Sequence, residues 1–196
     1  MNVIDWLLDS DPAIRCQAMR DLTDAGPAAC AAERARVANE GLGAEIIARQ
    51  EWDGSWRYDD KPVWLPTLFT LLLLRATGVD PAEPAVVGAV ERLETNLRWD
   101  DGPGCWDLRR VQSGGNSFFE GEEEPCINGG VLALGGYFGR PSESLARRLM
   151  SEQLEDGGWN CEAPKSMRSS FHTTICVLEG LLEYEQIGRA SCRERV

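Results

Sequence analysis

Long apolar runs are missing from this 196-residue chain: stretches such as residues 71–74 fall far short of the ~20 residues that a membrane span requires. Histidine is nearly missing too. His172 is the only one, so no other imidazole is available as a ligand or base. The opening "MNVIDWLLDSD" carries acids where a signal peptide would have a basic segment. Seven cysteines show no close paired spacing, which, with no export signal in view, predicts reduced thiols and a cytoplasmic location. Positive charge is scarce, with 20 Lys and Arg against 32 Asp and Glu. The net charge of −12 repels phosphate, which excludes nucleic acid as a partner and otherwise favours solubility. No segment alternates apolar and polar residues over more than a few positions, so strands are not expected. What remains is a hydrophobic content of 43 %, ordinary for a globular protein, in a chain long enough for one sizeable core.

The chain instead reads as helices, and the expected fold class is all-α. Residues 3–8 and 12–22 predict two short helices, the second with Asp11 as N-cap and Pro12 in its first turn. "TDAGP" ends this piece, and an Ala- and Arg-rich helix is expected over 27–40. Residues 1–42 are therefore taken as an N-terminal helical segment.

From residue 43 the chain repeats. "DGSW" begins at Asp53, "DGPGCW" at Asp101 and "DGGW" at Asp156, at steps of 48 and 55 residues. Each turn is followed by a strongly apolar helix: "LPTLFTLLLLRATG", "PCINGGVLALGGYFG" and "SSFHTTICVLEGLLEYE". Before each turn an amphipathic helix is expected, at 43–50, 82–98 and 141–154. A period near 50 with two helices per unit predicts a helical repeat array. Helices apolar nearly all round must be buried on both sides, and the amphipathic ones lie outside them. Closing such hairpins into a ring gives an inner barrel inside an outer one. Two of the turns share a longer pattern, "QEWDGSW" at 50–56 and "QLEDGGW" at 153–159. There the Gln amide is expected to tie down helix-end backbone groups, and Trp to pack across the neighbouring repeat.

The last ten residues, "IGRASCRERV", resemble the translation of a sequencing-adapter oligonucleotide and break off a helical pattern. Residues 187–196 are accordingly expected to be non-native, and residues 43–186 to be an incomplete repeat domain, cut short on its C-terminal side. Without that tail the formal charge changes from −12 to −14, since three arginines and one glutamate leave.

"QEWDGSW" and "QLEDGGW" resemble the QW repeats of squalene–hopene cyclases and related triterpene cyclases. "GGWNCEAPKSMRSSFHTTICVLEGL" is similar to the repeat of protein prenyltransferase β subunits. The resemblance covers about residues 43–186 and implies an (α/α) toroid, here with about three of the family's five to six hairpins. It further implies an apolar isoprenoid or lipid as ligand, held in a cavity lined by the inner helices. Fold alone does not fix the reaction. A transferase or cyclase is one reading; a non-catalytic toroid that binds a lipid or protein partner is the other.

Three groups of residues carry candidate chemistry. Protein prenyltransferases hold a catalytic zinc with an Asp-x-Cys at one inner helix start and a His at the next. The similar residues here are Glu124, Cys126 and His172, with Cys161 as a further donor. Glu in place of Asp, and Pro125 between acid and thiol, depart from that pattern. The second group is acidic: Glu120, Glu122, Glu123 and Glu124, with Asp59 and Asp60 after the first turn. Glu124 and His172 are the candidate catalytic acid and base. The D-x-D-D that triterpene cyclases use as proton donor is absent from these residues. The third group would meet substrate: Trp64 and Phe119 through their aromatic faces, Arg109 and Arg110 through a diphosphate. Most of the loop aromatics, Trp56 and Trp159 in particular, read better as staples between repeats.

Overall fold

The computed structural model describes residues 2–58, 61–99 and 114–193, with side chains to residue 186. It is mostly helical. The order is α1 (Val3–Leu8), α2 (Pro12–Leu22), α3 (Pro27–Arg34), α4 (Gly41–Ile47), α5 (Trp64–Ala76), α6 (Pro84–Asn96), β1 (Arg98–Trp99), β2 (Asn116–Ser117), α7 (Pro125–Tyr137), α8 (Glu143–Ser151) and α9 (Phe171–Arg193). A 3-10 turn at Phe118–Glu120 follows β2.

Local chemistry sets several of these boundaries. Pro12, Pro27, Pro84 and Pro125 each open a helix, where the missing N–H costs nothing. Asp11 caps α2 by accepting from Ala13 N at 2.8 Å, and its other oxygen accepts from Leu42 N at 2.7 Å in the first turn of α4. One carboxylate thus ties two helix starts together. The helix expected over 27–40 stops at Arg34, and the chain turns so that Val37 enters the core. Arg34 is pinned across the gap, donating to the carbonyls of Gly78 and Val79 and, at 2.6 Å, to Tyr137 Oη. The small antiparallel ribbon pairs Arg98 with Ser117 and Trp99 with Asn116. Two residues per strand are too few for a visible alternation, and this ribbon was not expected.

α7 is the central element. Nine of its residues are buried, among them Asn128, Gly129, Val131, Leu132, Leu134 and Gly136. It packs against both α5 and α9. A Cβ on Gly130 would meet Leu72 of α5, and Tyr137 Oη donates to Val79 O at 2.6 Å, so the contact advances in the same direction along both segments. On the other side Gly129 faces Cys176 and Gly180, and Gly136 faces Glu183. The three apolar helices therefore run parallel and side by side.

The seam between α7 and α9 is backbone against backbone. A Cβ on Gly129 would lie 2.4 Å from Cys176 O, and one on Gly180 would lie 2.4 Å from Gly129 O. Only glycine fits there. α6 and α8 turn one apolar face inward, with Val86, Ala89, Val90 and Leu93 on the first and Leu145, Ala146 and Leu149 on the second. Fully buried leucines such as Leu71, Leu93 and Leu149 each contribute about 1.5–3 kcal/mol through apolar burial.

The three apolar helices are not equally covered. α7 is buried nearly all round, as expected. α5 leaves Phe69 and Leu73 open, and α9 leaves Ile175, Leu178 and Leu182 open. The helical backbone of α9 also continues to Arg193, through residues set apart from the sequence as adapter-derived. Apart from Gly188 nothing in that stretch opposes a helix. Among the described residues no helix is long and apolar enough to cross a membrane.

Candidate functional site

The two "Q…G.W" corners are the same structure twice. Gln50 Nε2 donates to Gly54 O at 3.0 Å, and Gln153 Nε2 donates to Gly157 O at 2.7 Å. Trp56 Nε1 donates to Ile46 O at 2.9 Å, and Trp159 Nε1 to Leu149 O at 2.6 Å. Each indole thus supplies a second donor to a carbonyl near the end of the preceding helix, where Ile46 O also accepts from Arg49 N and Leu149 O from Glu152 N, both at 3.2 Å. Trp56 N and Trp159 N each bond a threonine hydroxyl of the next apolar helix, Thr67 at 3.2 Å and Thr174 at 3.0 Å. Gly54 and Gly157 both take positive φ, 80° and 90°, which the tight turn requires. The Trp was expected to pack across the neighbouring repeat; both indoles lie in the core, each bonding the helix before it while its backbone meets the apolar helix after it. The middle turn, with Cys105 and Trp106, lies outside the described residues.

The second corner holds four more residues between Trp and Thr than the first, 159 to 174 against 56 to 67. That longer turn brings Cys161 onto the start of α7. Cys161 Sγ donates to Cys126 Sγ at 3.1 Å, and Cys126 Sγ donates to Glu124 Oε2 at 3.6 Å. Ligand atoms of Glu124, Cys126 and Cys161 all lie within 4.8 Å of one another. Thr173 Oγ1, buried at the start of α9, stands 3.5 Å from Cys161 Sγ.

Behind the cluster, Asn128 clamps the acidic loop. Its Nδ2 donates to Glu122 O and its Oδ1 accepts from Glu122 N, both at 2.8 Å. Asn128 is fully buried, so these bonds hold the 121–124 loop against α7 and set where Glu124 begins.

Electrostatics disfavour the Cys126 thiolate. Burial, then the hydrogen bond with Cys161 and the adjacent negative groups, push the Cys126 thiol well above its ordinary value. Burial likewise pushes the Glu122 carboxyl up. A cation bound here would have to displace the Cys126 proton, so its affinity would rise with pH.

His172, expected as the imidazole ligand, stands outside this set. It is exposed, and its Nε2 lies 4.0 Å from Cys176 Sγ one turn along α9. The second position of α9 directs it along its own helix, and the longer turn gives the third place to Cys161. Trp64 and Phe119 were expected to face substrate. Both join an aromatic run: Trp64, partly buried, packs edge-on against Trp99 at 4.9 Å, Trp99 stacks on Phe118, and Phe118 meets Phe119 edge-on at 5.0 Å. Phe119 is 8 % exposed and offers little face to a ligand. Of the acids, Glu120 closes a capping box with Ser117. Arg109, Arg110, Asp59 and Asp60 lie outside the described residues.

A cavity of about 510 Å³ opens beside α5, away from the cysteines. Ile46, Trp56, Leu65, Phe69 and Leu73 form its apolar part, and Arg49, Arg57 and Lys61 stand among its lining residues. Arg57 is anchored by a 2.7 Å ion pair to buried Asp53. The position of this cavity was not read from the sequence. Asn128 did carry a signal, as the one amide in an otherwise apolar helix; Thr173 and Cys176 carried none.

The donor set fits zinc chemically, with two sulfurs and a carboxylate leaving one position open. A tetrahedral ion with Zn–S bonds of about 2.3 Å separates its thiolates by roughly 3.8 Å, so the pair at 3.1 Å need open only slightly. Compared with protein-family models, curated proteins and solved structures, the chain matches none.

Proposed function

We propose that α4 to α9 form three hairpins of an (α/α) toroid of the terpenoid cyclase and prenyltransferase type, acting on an apolar isoprenoid-type molecule. One observation carries this reading: the same corner is built at Gln50–Trp56 and at Gln153–Trp159, and each delivers an apolar helix into a parallel row. In this reading α5, α7 and α9 are inner helices, and α4, α6 and α8 are outer ones. The open apolar residues of α5 and α9 then belong to the lining of the ring or to its helix–helix seams.

The cavity beside α5 supports an amphiphilic substrate. Phe69 and Leu73 would take a hydrocarbon chain, and Arg49, Arg57 and Lys61 an anionic end such as a diphosphate. At the cluster, Glu124, Cys126 and Cys161 would hold zinc, whose chemistry when bound is to favour a deprotonated thiol or water. Asn128 positions the loop that presents Glu124, and Thr173 keeps Cys161 turned inward. The free cysteines fit a reducing compartment such as the cytoplasm.

Incubation with isoprenoid diphosphates and with squalene-like hydrocarbons, followed by mass spectrometry of the products, tests this reading. Turnover of one of them is expected. Tight binding without turnover would favour the non-catalytic toroid, and neither binding nor turnover would overturn the isoprenoid assignment.

A further inference from the structure

We propose that Cys126 and Cys161 are a reversible dithiol–disulfide pair. Their sulfurs stand 3.1 Å apart, 35 residues distant in sequence, with no third atom to separate them. A disulfide bond is about 2.05 Å long, so closure requires roughly 1 Å of approach. The two sides can share that movement unequally. Cys126 is the second residue of α7, fixed by the buried helix behind it. Cys161 lies on the largely exposed turn at 161–165, between the Trp159 corner and α9, and can follow. Both thiols are half-buried, within reach of a small oxidant. The hydroxyl of Thr173, 3.5 Å from Cys161 Sγ, holds that sulfur on the side that faces Cys126.

The oxidant required is a small disulfide of the glutathione class. The Cys161 thiolate attacks one sulfur of oxidised glutathione, breaking its S–S bond and releasing one glutathione thiolate. Cys126 passes its proton to the released glutathione thiolate and attacks Cys161 Sγ, forming the protein disulfide and expelling the second glutathione. Two protein thiols are oxidised, one glutathione disulfide is reduced, and two protons pass to the released thiolates. The protein disulfide uses two of the three donors that zinc would need, so metal and disulfide exclude each other. The inference does not rest on the zinc reading, because the pair closes without any metal.

The test equilibrates the full chain, stripped with chelator, in a series of reduced and oxidised glutathione mixtures. Acid quenching, alkylation and peptide mass spectrometry then follow each cysteine. The expected result is a Cys126–Cys161 linked peptide, reversed by dithiothreitol. It should form at a proportion of oxidised glutathione roughly tenfold below that which modifies Cys30. The Cys161→Ser variant should give no such peptide and should leave Cys126 alkylated or carrying glutathione. Cys126 and Cys161 that stay alkylated where Cys30 is already modified would overturn the pairing, as would links to Cys105 or Cys176 in its place. A parallel series with one equivalent of zinc chloride separates the two ideas. Linkage that zinc fails to suppress counts against the metal site while leaving the disulfide pair intact.

Discussion

Trp159 shows how much one donor atom decides. The residue is 2 % exposed, and its indole N–H satisfies Leu149 O at 2.6 Å near the end of α8. Trp159→Phe keeps most of the apolar bulk but leaves that carbonyl with only its 3.2 Å bond from Glu152 N, so the loss of one hydrogen bond should cost about 0.5–1.5 kcal/mol. Trp56→Phe should cost a similar amount, because Ile46 O has the same role. Urea unfolding of both variants checks this, and unequal losses would mean that the two corners are not equivalent. Asp53 carries the pH dependence of the first corner. Burial raises its carboxyl, but the hydrogen bonds from Ser55 and the Arg57 guanidinium outweigh burial and hold it below the ordinary 3.8. Stability from this group is therefore complete above pH 3.8 and is lost as pH falls through the lower folded value. Asp53→Asn should be less stable than the parent near neutrality, and the gap should narrow on acidification. Urea midpoints at several pH values measure it.

The elements owe their spacing to glycines of opposite kinds. Gly129 in α7 sits where an added Cβ would be 2.4 Å from Cys176 O, so Gly129→Ala must push α9 away and should destabilise by about 1–3 kcal/mol. Gly88 in α6 has nothing within 4 Å of that position, so Gly88→Ala should stabilise by about 0.5–1 kcal/mol through helix propensity alone. Thermal or urea unfolding of the pair distinguishes packing glycine from idle glycine. The elements themselves were largely legible: residues 3–8 and 12–22 read as helices from caps and apolar spacing, and α5, α7 and α9 from their apolar density. Two things were not. At the end of α3, Arg34 bonds the carbonyls of Gly78 and Val79, more than forty residues away, and no local pattern carries that. The close approach of α7 and α9 was written only as scattered glycines, whose partners appear once the helices are paired.

At the scale of the molecule, the repeat in the sequence became a repeat in hydrogen bonding, while the site shifted. Cys126 and Glu124 could be read as neighbours from "EEEPC". Choosing between His172 and Cys161 as the third donor needed the path of the 160–170 turn, which spacing alone does not supply. The apolar cavity beside α5 makes a separate prediction. Phe69 is 55 % exposed and lines it, so Phe69→Ser should weaken binding of an isoprenoid diphosphate by about tenfold with little loss of stability. Isothermal titration alongside unfolding separates the two effects. The claim that joins fold to chemistry is that the second corner delivers Cys161 to Glu124 and Cys126 as a metal centre. Elemental analysis of purified chain, reduced and dialysed against zinc, addresses it most directly. One tightly held zinc per chain, lost in both Cys126→Ser and Cys161→Ser but kept in His172→Ala, is the predicted result; no bound zinc, or zinc retained without the two sulfurs, would contradict it.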